Sequence, residues 1–188
     1  MAFWKDGSAE PKRKFRFRAT IFGQVAWYTK SFGSPGFSID PQEVHFSDHI
    51  FKYPGKLKWE DVSVTLMDPG GDDDVVNKTL KLIEDAGYSI PTTGGANSDY
   101  DTFSKAELLL NASTDVILEI LDQAGNAIET WTLHNAFIKS AKFGDFDYSG
   151  EEMREITLDF AYDWGSCTLK ASPSDTTSTL DKKYFTTG

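Results

Sequence analysis

The sequence predicts a mainly β protein: an antiparallel β-sandwich or partial barrel with one flanking α-helix. Three observations carry this. Apolar and polar residues alternate with period two over many short stretches, most regularly at 155–164. Clusters of Gly, Pro, Asn and Asp separate those stretches as turn material does. A single segment, from Val75 to Gly87, carries its apolar residues at helical spacing. At 188 residues the chain is long enough for one domain with a real core, and a mostly-β domain of this size need not split. Aromatic content of 14% within a hydrophobic total of 39% points to a core of few, large side chains.

Residues 1–12 are polar, include Gly7 and Pro11, and are expected to form an N-terminal arm. Residues 13–22 alternate, placing Phe15, Phe17, Ala19 and Ile21 on one face and Lys14, Arg16, Arg18 and Thr20 on the other. After Gly23 a second strand over 24–32 groups Val25, Trp27 and Thr29, and so little turn material between the two implies an antiparallel hairpin. Gly33-Ser34-Pro35-Gly36, followed by Asp40-Pro41, predicts a long turn-rich excursion that returns as a strand over 43–51. Pro54-Gly55 predicts a reversal, because proline presets φ and glycine accepts φ > 0. The next strand places Val62, Val64 and Leu66 on one face and Ser63 and Thr65 on the other. Trp59 is out of parity with it, so either a bulge at Glu60-Asp61 re-aims the ring or the strand starts at Val62.

Asp68-Pro69-Gly70-Gly71 ends that strand. Asp72, Asp73 and Asp74 then stand at the start of the helix, where carboxylates complement the positive end, and Gly87 suits its close. Residues 89–101 are rich in Gly, Thr, Ser and Asn and predict a long loop. Residues 105–110 and 115–122 are apolar enough for strands, the latter with Val116, Leu118 and Ile120 inward and Glu119 opposite. Residues 123–126 turn the chain into 127–135, where Trp131 and Leu133 face one way and Ile128, Thr130 and Thr132 the other. A strand over 136–142 and a turn over 144–150 lead to the most regular strand, with Ile156, Leu158, Phe160, Tyr162 and Trp164 on one face. The domain proper is expected over 13–164. Residues 165–188, polar and poor in large apolar side chains, read as a C-terminal extension. The predicted core comprises Phe15, Phe17, Trp59, Val62, Val64, Leu66, Trp131, Phe160 and Tyr162.

No catalytic constellation emerges, and the expectation is a protein that is not an enzyme and carries no metal or cofactor. His45 and His49 are four apart, but on a single strand they would stand roughly 13 Å apart, too far for one ion. The aspartate triplet lacks the sixth-position glycine and closing glutamate of a calcium loop. No nucleophile elbow, phosphate loop or dinucleotide fingerprint is present. Cys167 is the only cysteine, and no apolar run approaches the roughly 18 residues a bilayer helix needs. Net charge is −10, which disfavours nucleic-acid binding as a whole-molecule property. The distribution is uneven: residues 1–18 hold six Lys and Arg against two carboxylates, a net +4 that leaves −14 on the rest. A basic start facing an acidic body suits attraction between identical subunits.

Taken in order, Pro54-Gly55, the basic Lys56, Trp59-Glu60-Asp61, the alternating strand and the acidic helix resemble the core signature of tail tube proteins of contractile-tailed bacteriophages, relatives of type VI secretion tube proteins. The strand over 152–164 extends the likeness, which spans residues 15–164. The resemblance implies a structural virion subunit, assembled in the host bacterial cytoplasm into stacked hexameric rings, whose joined sheets form a ring-shaped β-barrel. That barrel conducts phage DNA into the host without binding it specifically and needs no membrane. Sheath, baseplate and tape-measure proteins are the implied partners.

The glycine-punctuated hairpin Gly33, Ser34, Pro35, Gly36 and Phe37 resembles the loop with which tube proteins reach the adjacent ring. With Lys12, Arg13 and Lys14 it supplies the candidate contacts between subunits. Glu119, Thr130, Thr132, Glu155, Thr157 and Asp159 occupy polar strand faces and are the candidates for the lumen. Carboxylates there would repel DNA at close approach, since fields reach about 8 Å at physiological salt. Two alternatives stay open. One is a monomeric β-sandwich module binding carbohydrate or another ligand; the other is a tube subunit of a type VI secretion system or phage-tail-like particle.

Overall fold

Alternating strands bury one face each, and here they do so against one another in two stacked antiparallel sheets. The computed structural model describes residues 11–21, 23–71, 74–88, 103–111 and 115–169. Along the chain run β1 (Phe17–Ile21), β2 (Gln24–Val25), β3 (Thr29–Phe32), β4 (Phe37–Phe46), β5 (His49–Trp59) and β6 (Val62–Met67). Helices α1 (Val75–Asp85) and α2 (Lys105–Asn111) follow, then β7 (Val116–Leu121), β8 (Ala127–His134), β9 (Phe137–Lys142), β10 (Glu155–Ala161) and β11 (Trp164–Leu169). One sheet has the order β11-β8-β7-β1-β2 and the second β3-β6-β10-β9, while β4 and β5 form a two-stranded sheet of their own.

The core lies between the two larger sheets. Ala19, Ile21, Val116 and Leu133 come from the first, and Val62, Val64, Leu66, Ile156, Leu158 and Phe160 from the second. Period-two alternation delivers these side chains, since successive residues of a strand point to opposite faces. Register aligns them: Leu66 faces Ile156, Val64 faces Leu158 and Val62 faces Phe160. Helix α1 closes one border of the core with Val75 and Thr79. Its start is fixed by Asp74, whose Oδ1 accepts the Asn77 N–H at 3.0 Å, a cap worth about 1 kcal/mol. Asp72, Asp73 and the expected loop over 89–101 lie outside the described residues.

Several expectations need correction. The segment expected as a strand over 105–110 is helix α2: Ala106, Glu107 and Leu108 are strong helix formers, and the run has no β-branched residue. The second strand is broken at Ala26, and its halves join different sheets. Ala26 and Tyr28 are buried there, while Val25 and Trp27 are exposed, the reverse of the predicted parity. The chain reverses at Ser47-Asp48, where Ser47 has φ +53°, and not at Pro54-Gly55, which lies inside β5. His45 and His49 consequently stand on the two arms of that turn and not on one strand. Strand β10 stops at Ala161, and Trp164 begins β11, which pairs with β8 in the other sheet. Regular structure thus continues through Leu169, past the boundary expected at residue 164. Phe15 precedes β1 and is 73% exposed, so it is not a core residue.

The remaining predicted core residues are placed as follows. Val62, Val64, Leu66 and Phe160 are buried. Phe17, Trp59, Trp131 and Tyr162 are half-buried. Of the two explanations offered for Trp59, the second holds: β5 ends at that residue and β6 begins at Val62.

Candidate functional site

The feature with the clearest capacity to engage another molecule is the β4–β5 hairpin. Residues paired across an antiparallel ladder share a face. Near its base Phe37 pairs with Trp59 and Ile39 with Leu57; nearer the tip Gln42 pairs with Tyr53, Val44 with Phe51 and Phe46 with His49. The register shifts between Ile39 and Pro41: Asp40 alone on β4 stands opposite both Gly55 and Lys56, so β5 gains one residue there. That extra residue inverts the parity of β5, so Tyr53 and Phe51 join Val44 and Phe46 on the face opposite the one that carries Phe37, Ile39 and Leu57. The outcome is a ribbon with apolar residues on both faces, Phe46 72% exposed and Val44, Phe51, Tyr53 and Leu57 also open. Gly55 makes the shift possible: a Cβ there would stand 2.1 Å from the Asp40 carbonyl oxygen. The base is anchored through Trp59, whose ring packs on Phe37 and Tyr162 with centroids 5.7 and 5.9 Å away.

The six lumen candidates do not form one surface. Glu119, Thr130 and Thr132 lie on the outer face of the five-stranded sheet, Glu155, Thr157 and Asp159 on that of the four-stranded sheet. Because the two sheets bury their inner faces against each other, their outer faces point in opposite directions. One bore cannot be lined by both sets. On the four-stranded sheet the outer residues form hydroxyl-rich rows: Ser140, Asp159 and Ser63 in one, Lys142, Thr157, Thr65 and Ser31 in the next. Lys30 pairs with Glu155, and Lys139 with Asp61. On the five-stranded sheet Arg18 stands directly across from Glu119 and pairs with it. These carboxylates raise the pKa values of Arg18, Lys30 and Lys139, chiefly through the hydrogen bonds they accept.

The edges of the two sheets differ. The five-stranded sheet is bounded on one side by β2, only two residues long, whereas the four-stranded sheet ends in β3, with four residues, and β9, with six. A strand edge is a row of unpaired backbone groups, so the four-stranded sheet is the one equipped on both sides to continue into a neighbour.

Lys12, Arg13 and Lys14 line a cleft of about 500 Å³ together with Arg16 and Lys30. Its apolar lining comes from Phe17, Phe32, Leu118 and Ile120, and Ser34 also borders it. Lys12 pairs with Glu129. Of the other contact candidates, Gly33 donates its N–H to the Ser63 carbonyl at 2.8 Å and Gly36 accepts from Glu60 N at 2.9 Å. These two bonds fix the exit of the hairpin from β3, and Pro35 lies between them.

A further polar group escaped the sequence reading because the chain was taken to run straight through residue 162. At the corner between β10 and β11, the Asp163 carboxylate accepts from Lys105 at 2.6 Å and from Asn135 at 2.9 Å. The Lys105 bond, then that of Asn135, holds its pKa below the ordinary carboxylate value. Beside it the His134 ring stacks on Trp164 at 5.0 Å, with Nε2 2.8 Å from Ser166 Oγ. Nδ1 is 3.7 Å from Asp115, beyond hydrogen-bond reach, so Asp115 does not hold the imidazole as a base toward that hydroxyl. Among the described residues no three His, Cys, Asp or Glu side chains gather as metal ligands would. No helix among them is long and apolar enough to cross a membrane.

No protein-family model matches the chain, and no curated protein matches it in sequence. Solved structures do match in shape. A chain from the cryo-EM structure of the anti-feeding prophage cap, the AFP tube terminating cap, superposes with a TM-score of 0.63 at 17% identity, covering 90% of this chain and all of that one. The PVC sheath/tube terminator of an extracellular contractile injection system, in its extended state, gives 0.62 at 15% identity over 85% of this chain and 98% of that one. The PVC sheath-tube complex gives 0.58 at 17% identity over 85% and 93%. The chain has the fold found in these tube and tube-terminator assemblies.

Proposed function

We propose that the chain is a structural subunit of a phage-tail-like tube, which closes into rings with copies of itself and stacks those rings through the β4–β5 hairpin. The observation that carries this reading is the hairpin's run of exposed apolar side chains, Phe37, Ile39 and Leu57 on one face of the ribbon and Val44, Phe46, Phe51 and Tyr53 on the other. A two-stranded ribbon is marginally stable alone in water, and exposed apolar area of this extent marks an interaction surface. Its chemistry suits another protein surface, and the fold it shares with tube chains supplies the partner: a second copy in the next ring.

Ring closure then falls to the four-stranded sheet, whose β3 and β9 edges would pair between neighbours. Six copies would give about two dozen strands, in the range where a barrel leaves an open lumen. The bore would be lined by Glu155, Thr157 and Asp159 with their hydroxyl neighbours, and Glu119, Thr130 and Thr132 would face outward. Such a lining is polar, and Lys30 and Lys139 are already held by Glu155 and Asp61, which would weaken any grip on phage DNA as it passes. The particle would be a virion assembled in the host cytoplasm, with sheath, baseplate and tape-measure proteins as further partners.

Negative-stain microscopy of the purified protein at high concentration tests the reading. Wild type is expected to form rings or tubes, and V44D/F51D, which breaks one apolar face, is expected to stop at single rings or monomers with an intact fold. Uniform small monomers for wild type at every concentration would instead favour a monomeric ligand-binding sandwich.

A further inference from the structure

The connection between β9 and β10 matches the basic cleft in chemistry. Residues 143–154 carry four carboxylates, Asp145, Asp147, Glu151 and Glu152, interleaved with Phe146 and Tyr148. Phe146 is 82% exposed and Tyr148 fully so. The loop is shaped from within: Asp147 accepts from Ser149 N at 2.9 Å and from its hydroxyl at 2.8 Å. Arg154 braces its base, donating to the Phe143 carbonyl at 2.7 Å and to Asp68 at 3.1 Å while lying 4.7 Å from the centre of the Phe146 ring. An ordered turn therefore holds two aromatic rings in water, flanked by acids.

The cleft is the converse: five cations around a floor of Phe17, Phe32, Leu118 and Ile120. No carboxylate among the described residues lines it, although Lys12 and Lys30 pair with Glu129 and Glu155, and about 500 Å³ accommodates an aromatic side chain together with its neighbours. We propose that the cleft of one copy receives the 145–152 loop of a second, with Tyr148 or Phe146 on the apolar floor and the carboxylates against Lys14, Arg13 and Arg16. This contact rests on the self-assembly reading and adds to the hairpin and the β3 and β9 edges a third, electrostatically selected joint between subunits. Complementary surfaces at different places on one chain make a head-to-tail contact, the type that generates rings. Charge pairing at the rim would fix the register while the aromatic ring supplies the buried area.

Cysteine crosslinking between separate chains decides it. Full-length Y148C and S34C proteins, each with Cys167→Ser, are mixed and oxidised, and heterodimer yield is compared with a mixture in which K81C on α1 replaces S34C. The expected result is a heterodimer well above that control, falling to the control level in 1 M salt, where the screening length is about 3 Å, and on adding Lys14→Glu to the S34C chain. Heterodimer at the control level overturns the proposal, as does a disulfide that forms only within a chain carrying both cysteines. Tubes that assemble with control-level crosslinking leave the tube reading standing and remove this contact. Specific crosslinking by a protein that never forms tubes does the reverse.

Discussion

Gly55 bears a larger structural demand than any other residue of the hairpin. It sits where β5 gains a residue, and any side chain would collide with the Asp40 carbonyl oxygen, a backbone atom that cannot swing away. Overpacking of this kind costs about 1–3 kcal/mol. For Gly55→Ala the expectation is faster amide exchange confined to residues 37–59, global unfolding near the wild-type midpoint, and loss of assembly, measured by hydrogen exchange and sedimentation. Asp163 makes a different prediction. Its folded pKa is depressed by Lys105 and then Asn135, so the stabilisation is present above the unfolded carboxylate value of about 3.9 and is lost as pH falls through the folded value. Carboxyl NMR titration should place the Asp163 midpoint below the ordinary range, and Lys105→Met should raise it. The carboxylate is largely open to water, so the contribution is modest. Neither role was legible in the sequence: Pro-Gly usually marks a turn, and only the pairing register shows this glycine as part of a bulge.

At the scale of elements, period-two patterning located β6, β7, β8 and β10 because each turns one face to the core and leaves the other more open. It failed where a strand changes sheets. The break at Ala26 and the corner at Asp163 leave the alternation of the chain almost undisturbed, yet each moves the following residues to a different sheet. It failed again at α2, where an apolar run without β-branched residues was given the commoner element of its surroundings. Strand β10 is deeply buried, with Ile156, Leu158 and Phe160 at 2% exposure or less. Phe160→Ala is therefore expected to cost about 3–5 kcal/mol in chemical denaturation. Trp131→Ala should cost less, because that ring is only partly buried and its Nε1 donates to Glu129 at 2.6 Å near the surface.

Over the whole molecule, the sandwich divides polar strand faces into two opposed skins, a distinction that no single strand's pattern contains. Six residues with identical credentials in the sequence therefore fall on two surfaces, and only edge lengths discriminate between the sheets. The expected anionic surface also changes character: Glu155, Glu119 and Asp61 each meet a lysine or arginine from a distant stretch of chain, pairings that net charge cannot reveal. The bulge in β5 has one more consequence. A further single-residue insertion between it and the tip would shift one arm against the other and exchange the faces that its side chains occupy. Residues added as a pair at the tip would leave every existing side chain where it is and lengthen the arm by about 3.3 Å. Spacing between stacked neighbours would then evolve in whole steps of that size, by matched gains on both arms, and never by drift in one.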